Sequence, residues 1–410
     1  MGLCRYLPTP SDRMGILWSL LAIEDSVIVE YGPAGTTHFS MSLFGELGVD
    51  QQNRLFTTHM SEDDVVMGDV SRLEKALVEV DQGYHPRVIF VVASSVSAVI
   101  GTDLQGVCAY MQEKVNARLI AFEQGGFRGD YSVGIQAAYR LLAQDVAEAN
   151  VPRKAGTYNI LGASAGFFRM ESDVREIERL MREAFGMELN ACLCLDTSVE
   201  KIQQMGCAEI NLVLREEAVP AARILTQKCG TPFLLGAPYG YAGTLAWLEK
   251  IGQQIGRVVS PALRAALKKR AMEVMQYRMY GMMLKVNKPQ VALFGDAPMV
   301  TGMSSFMDEL GFPVVAKISR HSLRLYEAAA PSVRYLPEEK DRIAAMQALH
   351  HTLVLADDIS KRLLAKDNTF LRVSMPLVDG AQIATHLPFM GPRGADFILE
   401  AVEVYLETLR

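Results

Sequence analysis

The chain has 410 residues, of which half are hydrophobic and about a fifth are charged. This length exceeds what one ordinary hydrophobic core holds, and the composition is that of a globular protein. A net charge of −6 and the lack of a basic stripe argue against a nucleic-acid-binding surface. The longest apolar run, VIFVVASSVSAVI, is too short to span a bilayer, and the N-terminus has no apolar signal segment. We therefore expect a cytoplasmic protein that binds neither nucleic acid nor membrane.

The N-terminal part of the chain repeats a pattern of apolar strand, glycine-containing loop and helix. The strand SVIVE runs into the loop YGPAG, and the strand RVIFVV runs into a serine-rich loop and the helix DLQGVCAYMQEKV. The strand RLIAF is followed by the loop EQGGFRGD and the helix SVGIQAAYRLLAQDV. The polar segment AEANVPRKAG then predicts a boundary, which gives a first Rossmann-like domain over residues 1–150.

A second domain is predicted over residues 151–287. It starts with the strand TYNILG and ends with the long helix SPALRAALKKRAMEVMQYRMYGMMLKV. Four methionines of this helix recur at helical spacing and predict a packing stripe: Met272, Met275, Met279 and Met282. In NACLCL, the alternation of Cys192 and Cys194 predicts burial on one face of a strand.

A third domain is predicted over residues 288–410, from the strand QVALFG to the final helix GADFILEAVEVYLETL. Strand and helix alternate throughout, so the predicted fold class is α/β, with three tandem Rossmann-like domains whose parallel sheets are covered by helices. Ligands of such sheets bind outside the carboxyl ends of the strands. No loop there carries GxGxxG or GxxxxGK[ST], so no motif supports nucleotide binding.

Seven segments, taken in order, resemble the nitrogenase component 1 family over nearly the whole chain. They are CRYLP, YGPAG, ASSVSAVIGTDL, GGFRGDYSVG, INLVL, LFGDAPMVTGMSSFMDELG and PFMGPRGADFILEAVE. The family includes the catalytic nitrogenase subunits, the cofactor-assembly scaffolds and the dark-operative protochlorophyllide reductase. The resemblance implies paired subunits with an iron–sulfur cluster at their interface, held mainly by cysteines of the first domain. It also implies an ATP-driven iron protein that docks above the cluster and supplies electrons.

The family's cluster cysteines map onto this chain one position at a time. The first falls on Cys4 and is kept, whereas the second falls on Thr36 and the third on Ser95. In nitrogenase a further cysteine holds the large cofactor, and Leu214 and Arg215 stand there. Hydroxyls are poor substitutes for thiolates as ligands of cluster iron. We therefore expect no large molybdenum–iron cofactor, and we expect that one chain does not hold a cluster alone.

Two hypotheses follow from the resemblance. In the first, the chain pairs with a cysteine-rich homologous subunit of a reductase that acts on a small molecule, and Cys4 is the single metal ligand it contributes. The frame of the cofactor loop is then Gly32 and Gly35, with Thr36 and Ser95 beside it. In the second, Cys4 is a free thiol, and the chain is a non-catalytic scaffold or cofactor-binding protein without a cluster. A homodimer would offer only two Cys4 thiolates, and a flavin or nicotinamide enzyme has no fingerprint to support it.

Other polar residues of the predicted loops are candidates for catalysis or for structural roles. His38 follows the two threonines and is a candidate proton donor, and Arg393, at a helix start, is a candidate partner of a substrate carboxylate. Each has a structural alternative, solvation or capping for His38 and packing against the final helix for Arg393. The remaining candidates are Glu123 and Asp130, as proton donors or helix caps, and the helix cap Asp103. The resemblance implies that His386 lies near the central cavity, but no cofactor-binding role is expected for it without a cysteine at the Arg215 position, and Arg215 is a candidate to line the same cavity.

Overall fold

Three parallel β-sheets form the framework of the protein. The computed structural model describes residues 4–6, 9–37, 54–283, 288–326, 332–376 and 386–409, with side chains omitted for 280–283. All pairings between the strands of this part are parallel. The predicted fold class, with helices covering parallel sheets, is confirmed.

The first sheet has the order β3-β2-β4-β5. Its strands are β2 (Ser26–Tyr31), β3 (Leu55–Thr57), β4 (Val88–Ala93) and β5 (Arg118–Phe122). Both central strands are buried along their whole length, because alternate side chains enter two different apolar cores. The helices of this unit are α2 (Glu62–Met67), α3 (Ser71–Tyr84), α4 (Ser95–Val99), α5 (Leu104–Met111) and α6 (Tyr131–Leu141).

The second sheet has the order β10-β9-β6-β7. Its strands are β6 (Thr157–Leu161), β7 (Glu188–Cys192), β9 (Ile210–Val213) and β10 (Phe233–Leu235). A separate parallel pair, β1 (Ile23–Glu24) and β8 (Thr197–Ser198), joins the first unit to the second. The helices of the second unit are α7 (Met170–Phe185), α8 (Val199–Gln203), α9 (Val219–Cys229) and α10 (Tyr241–Ile255). Cys192 and Cys194 are both buried as predicted, but Cys194 follows the strand, at a φ of 66°.

The third sheet has the order β13-β12-β11-β14-β15. Its strands are β11 (Val291–Gly295), β12 (Val314–Ser319), β13 (Arg334–Tyr335), β14 (Leu353–Ala356) and β15 (Thr369–Arg372). The helices preceding and covering it are α11 (Pro261–Glu273), α12 (Met275–Met283), α13 (Ala297–Leu310), α14 (Glu339–Gln347), α15 (Asp358–Leu363) and α16 (Gly391–Thr408). Short 3₁₀ or π turns occupy Gln112–Lys114, Leu142–Val146, Gln204–Cys207 and Glu216–Ala218.

Three methionines of the predicted stripe do not pack inside the chain, and the side chain of Met282 lies outside the described part of the structure. Met272, Met275 and Met279 are exposed, whereas Leu267 and Val274 supply the buried contacts. The packing prediction was therefore wrong for these three residues. Helical spacing alone does not distinguish a face that meets the core from one that meets solvent, since both have the same period.

An N-terminal helix that the pattern of strands did not indicate precedes the first sheet. Every residue of α1 (Asp12–Leu20) is buried, and α1 packs on α6 at two glycines. A Cβ on Gly134 would lie 1.7 Å from the carbonyl oxygen of Asp12, and one on Gly15 would lie 2.0 Å from that of Tyr131. Glycine is required at this crossing because the two backbones touch there.

The three sheets extend over residues 26–122, 157–235 and 291–372, and one apolar cluster contains side chains from all three units. The domain boundaries near residues 150 and 287 remain predictions. Within the described ranges, no helix combines the length and the hydropathy required to cross a bilayer.

Candidate functional site

Two hydroxyl side chains lie at the carboxyl ends of the adjacent strands β2 and β4. The Thr36 hydroxyl donates to the carbonyl oxygen of Pro33 at 2.9 Å, and the Ser95 hydroxyl donates to that of Gly125 at 2.8 Å. Gly32 permits this arrangement, since a Cβ there would lie 2.3 Å from the Ser94 Cβ. A Cβ on Gly35 would meet no atom within 4 Å. Both hydroxyls are thus engaged by backbone carbonyls of this chain.

A buried ion pair supports the loop that carries Thr36. Glu30, the fifth residue of β2, is fully buried and pairs with Arg13 of α1. The hydroxyl of Thr37 donates to the second carboxylate oxygen of Glu30 at 2.8 Å. The second of the two threonines that follow Gly35 therefore serves this carboxylate. The glutamate within the apolar run SVIVE is the sequence signal for such a buried pair.

Cys4 makes its contacts with the third unit. Its thiol donates to Glu339 Oε1 at 3.0 Å, and the backbone N–H groups of Arg5 and Tyr6 donate to the same carboxylate at 2.6 and 3.0 Å. Burial and the hydrogen bond to Glu339 raise the pKa of the Cys4 thiol. No hydrogen bond between described atoms joins Cys4 to Thr36 or Ser95.

The polar residues predicted as candidates in other loops do not lie together in one site. Asp103 and Asp130 cap α5 and α6 by accepting from the N–H groups of Gly106 and Ser132, as predicted for helix caps. The side chain of Arg393 is 65% exposed, and its Nε lies 3.7 Å from Glu176 Oε2.

The remaining predicted candidates are two histidines and one glutamate. His386 is exposed, Glu123 is half-buried, and His38 lies outside the described residues. Catalytic roles for His38 and Arg393 remain predictions.

Arg215 lies where the second and third sheets approach each other. It is 3% exposed, its guanidinium lies 3.6 Å from the ring centroid of Phe167, and its Nη2 lies 3.5 Å from Glu217 Oε1 and 3.9 Å from Asp296 Oδ1. Burial opposes ionisation of Asp296, but Arg215 and Arg320 outweigh it and hold the pKa of this carboxyl below its ordinary value. Arg215 is therefore a buried, neutralised cation of the core.

Residues of the first and third units complete this central cluster. The Tyr131 hydroxyl donates to Asp296 Oδ1, and burial together with Asp296 raises the pKa of Tyr131 well above its ordinary value. The ring of His321 packs edge-on against Tyr131, and its Nε2 accepts from the Ala297 N–H at 3.1 Å. The carboxyl ends of all three sheets thus converge on one polar cluster: Arg215, Glu217, Asp296, Tyr131 and His321.

The sequence comparison with protein families decides the membership of this chain. The sequence model of the nitrogenase component 1 type oxidoreductases matches residues 11–406. The chain belongs to this family. The resemblance found in the sequence is confirmed, and it extends over all three sheets of the fold.

Relatives within the family have different functions. The nitrogenase iron-molybdenum cofactor biosynthesis protein NifE of Clostridium pasteurianum is 28% identical over 237 residues, which cover 57% of this chain and 51% of the relative. NifE of Nostoc sp. is 25% identical over 386 residues, 92% of this chain and 78% of the relative. One of the subunits of the light-independent protochlorophyllide reductase of Chloroflexus aggregans is 25% identical over 363 residues, 84% of this chain and 66% of the relative. The chain spans about half the length of the first of these relatives.

A solved structure has the same fold. The structure titled Nitrogenase Cp1 at pH 6.5 superimposes with a TM-score of 0.82 over 99% of this chain and 94% of the other, at 17% identity. An identity this low supports the shared fold and no closer relation.

The residues of this single chain do not fit an iron–sulfur cluster. Among the described residues, no three His, Cys, Asp or Glu side chains are grouped so that they could hold a metal ion. Cys4 donates its hydrogen bond to a carboxylate, and the hydroxyls of Thr36 and Ser95 are hard donors already bound to carbonyls. Any cluster held with this chain needs thiolates from another subunit.

Proposed function

We propose that this protein is the ligand-poor subunit of a nitrogenase-like two-component reductase that acts on a small molecule. A homologous partner subunit supplies most ligands of a shared iron–sulfur cluster, and Cys4 is the one thiolate of this chain. The observation that carries the proposal is the exposure of Cys4, in contrast to Cys108, Cys192, Cys194 and Cys207, which are buried. Cys229 is only partly exposed, so Cys4 is the thiol available to a partner.

A docking face for the ATP-dependent iron protein lies next to Ser95 in this proposal. Four apolar side chains in and beside α2 and α4 are exposed, Val66 at 80%, Met67 at 78%, Val99 at 71% and Ile100 at 38%. Val66, Met67 and Ile100 line a groove of about 590 Å³. A patch of this kind is typical of protein interaction sites, and its position at the helix that begins with Ser95 would bring a docked electron donor near the family's cluster position.

The proposal is tested by anaerobic co-expression with a cysteine-rich homologous subunit. Bound iron and visible absorption are measured for complexes that contain wild type, Cys4→Ala or Cys229→Ala. We expect Cys4→Ala to lower the iron per complex and Cys229→Ala, the matched control, to leave it unchanged. Equal iron in all three complexes would show that Cys4 is not a ligand.

A scaffold without a cluster is the second candidate function. The hydrogen bond from the Cys4 thiol to Glu339 and the raised pKa of this thiol favour the scaffold. Iron binds the thiolate form, and both features keep the thiol protonated. In this case the complex with the homologous subunit forms on size-exclusion chromatography, while Cys4→Ala changes neither its iron content nor its assembly. Loss of iron in Cys4→Ala would exclude this candidate.

A further inference from the structure

A cavity of about 100 Å³ opens at the carboxyl edge of the third sheet, apart from the cluster positions of the first. Gly295 ends β11 on one side of the cavity, and Asp357 follows β14 on the other. These adjacent strands mark the point where the sheet order reverses, because β12 and β13 extend to one side and β15 to the other. Small ligands of open parallel sheets bind in the crevice at this point.

Two guanidinium groups line the cavity, and neither forms a salt bridge with a described acid. Arg320 donates one hydrogen bond, to the carbonyl oxygen of Met375, and Arg342 donates one to the Thr9 hydroxyl at 3.4 Å. Within the described ranges, no carboxylate oxygen lies within 4.0 Å of either guanidinium. The Thr9 hydroxyl in turn donates to the backbone carbonyl of Arg320 at 3.1 Å, so it links the two arginines.

The two acids of the cavity wall are already engaged by other donors. Glu339 accepts from the thiol of Cys4 and from two backbone N–H groups, and Asp357 accepts from the N–H and hydroxyl groups of Ser360. Each arginine has five N–H donors and gives one of them to a hydrogen bond with a described residue, while Asp296 and Asp357 act on the charge of Arg320 only from beyond 4.0 Å. A partly buried cation in this condition is stabilised by an anion that enters the cavity.

Besides the hydroxyl-bearing Tyr6, Ser319 and Ser360, the remaining wall has an apolar surface. The side chains that supply it are Phe294, Ile318, Ile343, Met346, Ile359 and Leu363. Such a surface favours an organic body over a hydrated inorganic ion, because apolar area is removed from water when the body is buried.

We propose that this cavity binds a small monocarboxylate with a compact apolar body no larger than that of benzoate. The carboxylate is held by Arg320 and Arg342, and the apolar body rests on the side of the cavity formed by α14 and α15. This site involves neither a cluster nor electron transfer, but it shares Glu339 with the hydrogen bond of Cys4, so the proposal applies to the state in which Cys4 is bonded to Glu339.

The test measures the binding of benzoate and its neutral isostere benzamide to the full-length protein by isothermal titration calorimetry. We expect saturable benzoate binding and an affinity for benzamide that is about tenfold or more weaker, the range for loss of a charge-assisted hydrogen bond. Arg342→Gln should lower the benzoate affinity by a similar factor. Arg334→Gln, an exposed arginine of the same sheet, is the matched control and should leave the affinity unchanged.

Four results would overturn the proposal. These are equal affinity for benzoate and benzamide, unchanged benzoate affinity in Arg342→Gln, displacement of benzoate by equimolar inorganic phosphate, and no saturable benzoate binding at millimolar concentration. If Arg342→Gln does not fold, the wild-type comparisons with benzamide and phosphate still decide the question.

Discussion

Removal of the central cation Arg215 is expected to destabilise the whole molecule. At an effective dielectric constant of about 20, charges 3.5 and 3.9 Å apart, the separations of Arg215 from Glu217 and Asp296, attract by roughly 4 to 5 kcal/mol each. Much of this is offset by the cost of removing the charges from water. Arg215→Met keeps the volume but leaves Glu217 buried without its ion-pair partner and Asp296 with only the more distant Arg320, and the free energy of unfolding should fall by about 3–5 kcal/mol.

The assay is urea denaturation followed by circular dichroism at pH 7, with Arg118→Met as a control at an exposed strand end. The double variant Arg215→Met/Glu217→Gln should recover part of the loss, because one uncompensated charge is removed. A loss below about 1 kcal/mol for Arg215→Met, equal to that of the control, would rule out a stabilising role for this buried cation, since exposed ion pairs contribute no more than this.

Three further predictions concern stability and reactivity. Burial raises the pKa of Asp173 to about 7, so its ionisation opposes folding as the pH rises from about 4 to 7. The variant Asp173→Asn keeps an acceptor for the 386–390 loop and should lose less stability than wild type between pH 5 and 8. Parallel curves of stability against pH for the two proteins would contradict this. In Gly134→Ala the new Cβ would lie 1.7 Å from a carbonyl oxygen, so this variant should lose several kcal/mol of stability or fail to fold. Gly35→Ala has open space and should change stability by less than about 1 kcal/mol. Equal unfolding midpoints for the two variants would be inconsistent with the close crossing of α1 and α6. Maleimide should modify Cys4 before the other cysteines in the native protein, as read by peptide mass spectrometry, and earlier modification of Cys108 would contradict its burial.

Much of the fold was predictable because strand and helix patterns are local. The strands around Val29, Phe90 and Leu293 are apolar runs bounded by glycine or polar loops, and each forms a buried parallel strand. Helix α1 escaped prediction because it is buried all round and has no polar face to show a period. Met275 shows the opposite case. The methionines recur at helical spacing, but this spacing does not indicate whether their side of the helix packs on the core or faces solvent.

The sequence predicted where the site residues lie in the fold, but not which side chains they contact. Thr36 and Ser95 lie at neighbouring strand ends, as their place after apolar runs indicated. The bond of Cys4 to Glu339, 335 residues away, and the approach of Arg215 to Asp296 are tertiary contacts without a local signal. Only the folded chain brings these charges together.

Iron bound by this chain without a partner subunit tests most directly whether it is short of cluster ligands. Wild type and Cys4→Ala are produced anaerobically, reconstituted with ferrous iron and sulfide, desalted, and analysed for bound iron and visible absorption. We predict equal, residual iron in the two proteins and no cluster absorption, because one chain supplies one exposed thiol. A stoichiometric cluster on the isolated wild-type chain that is lost in Cys4→Ala would contradict this prediction.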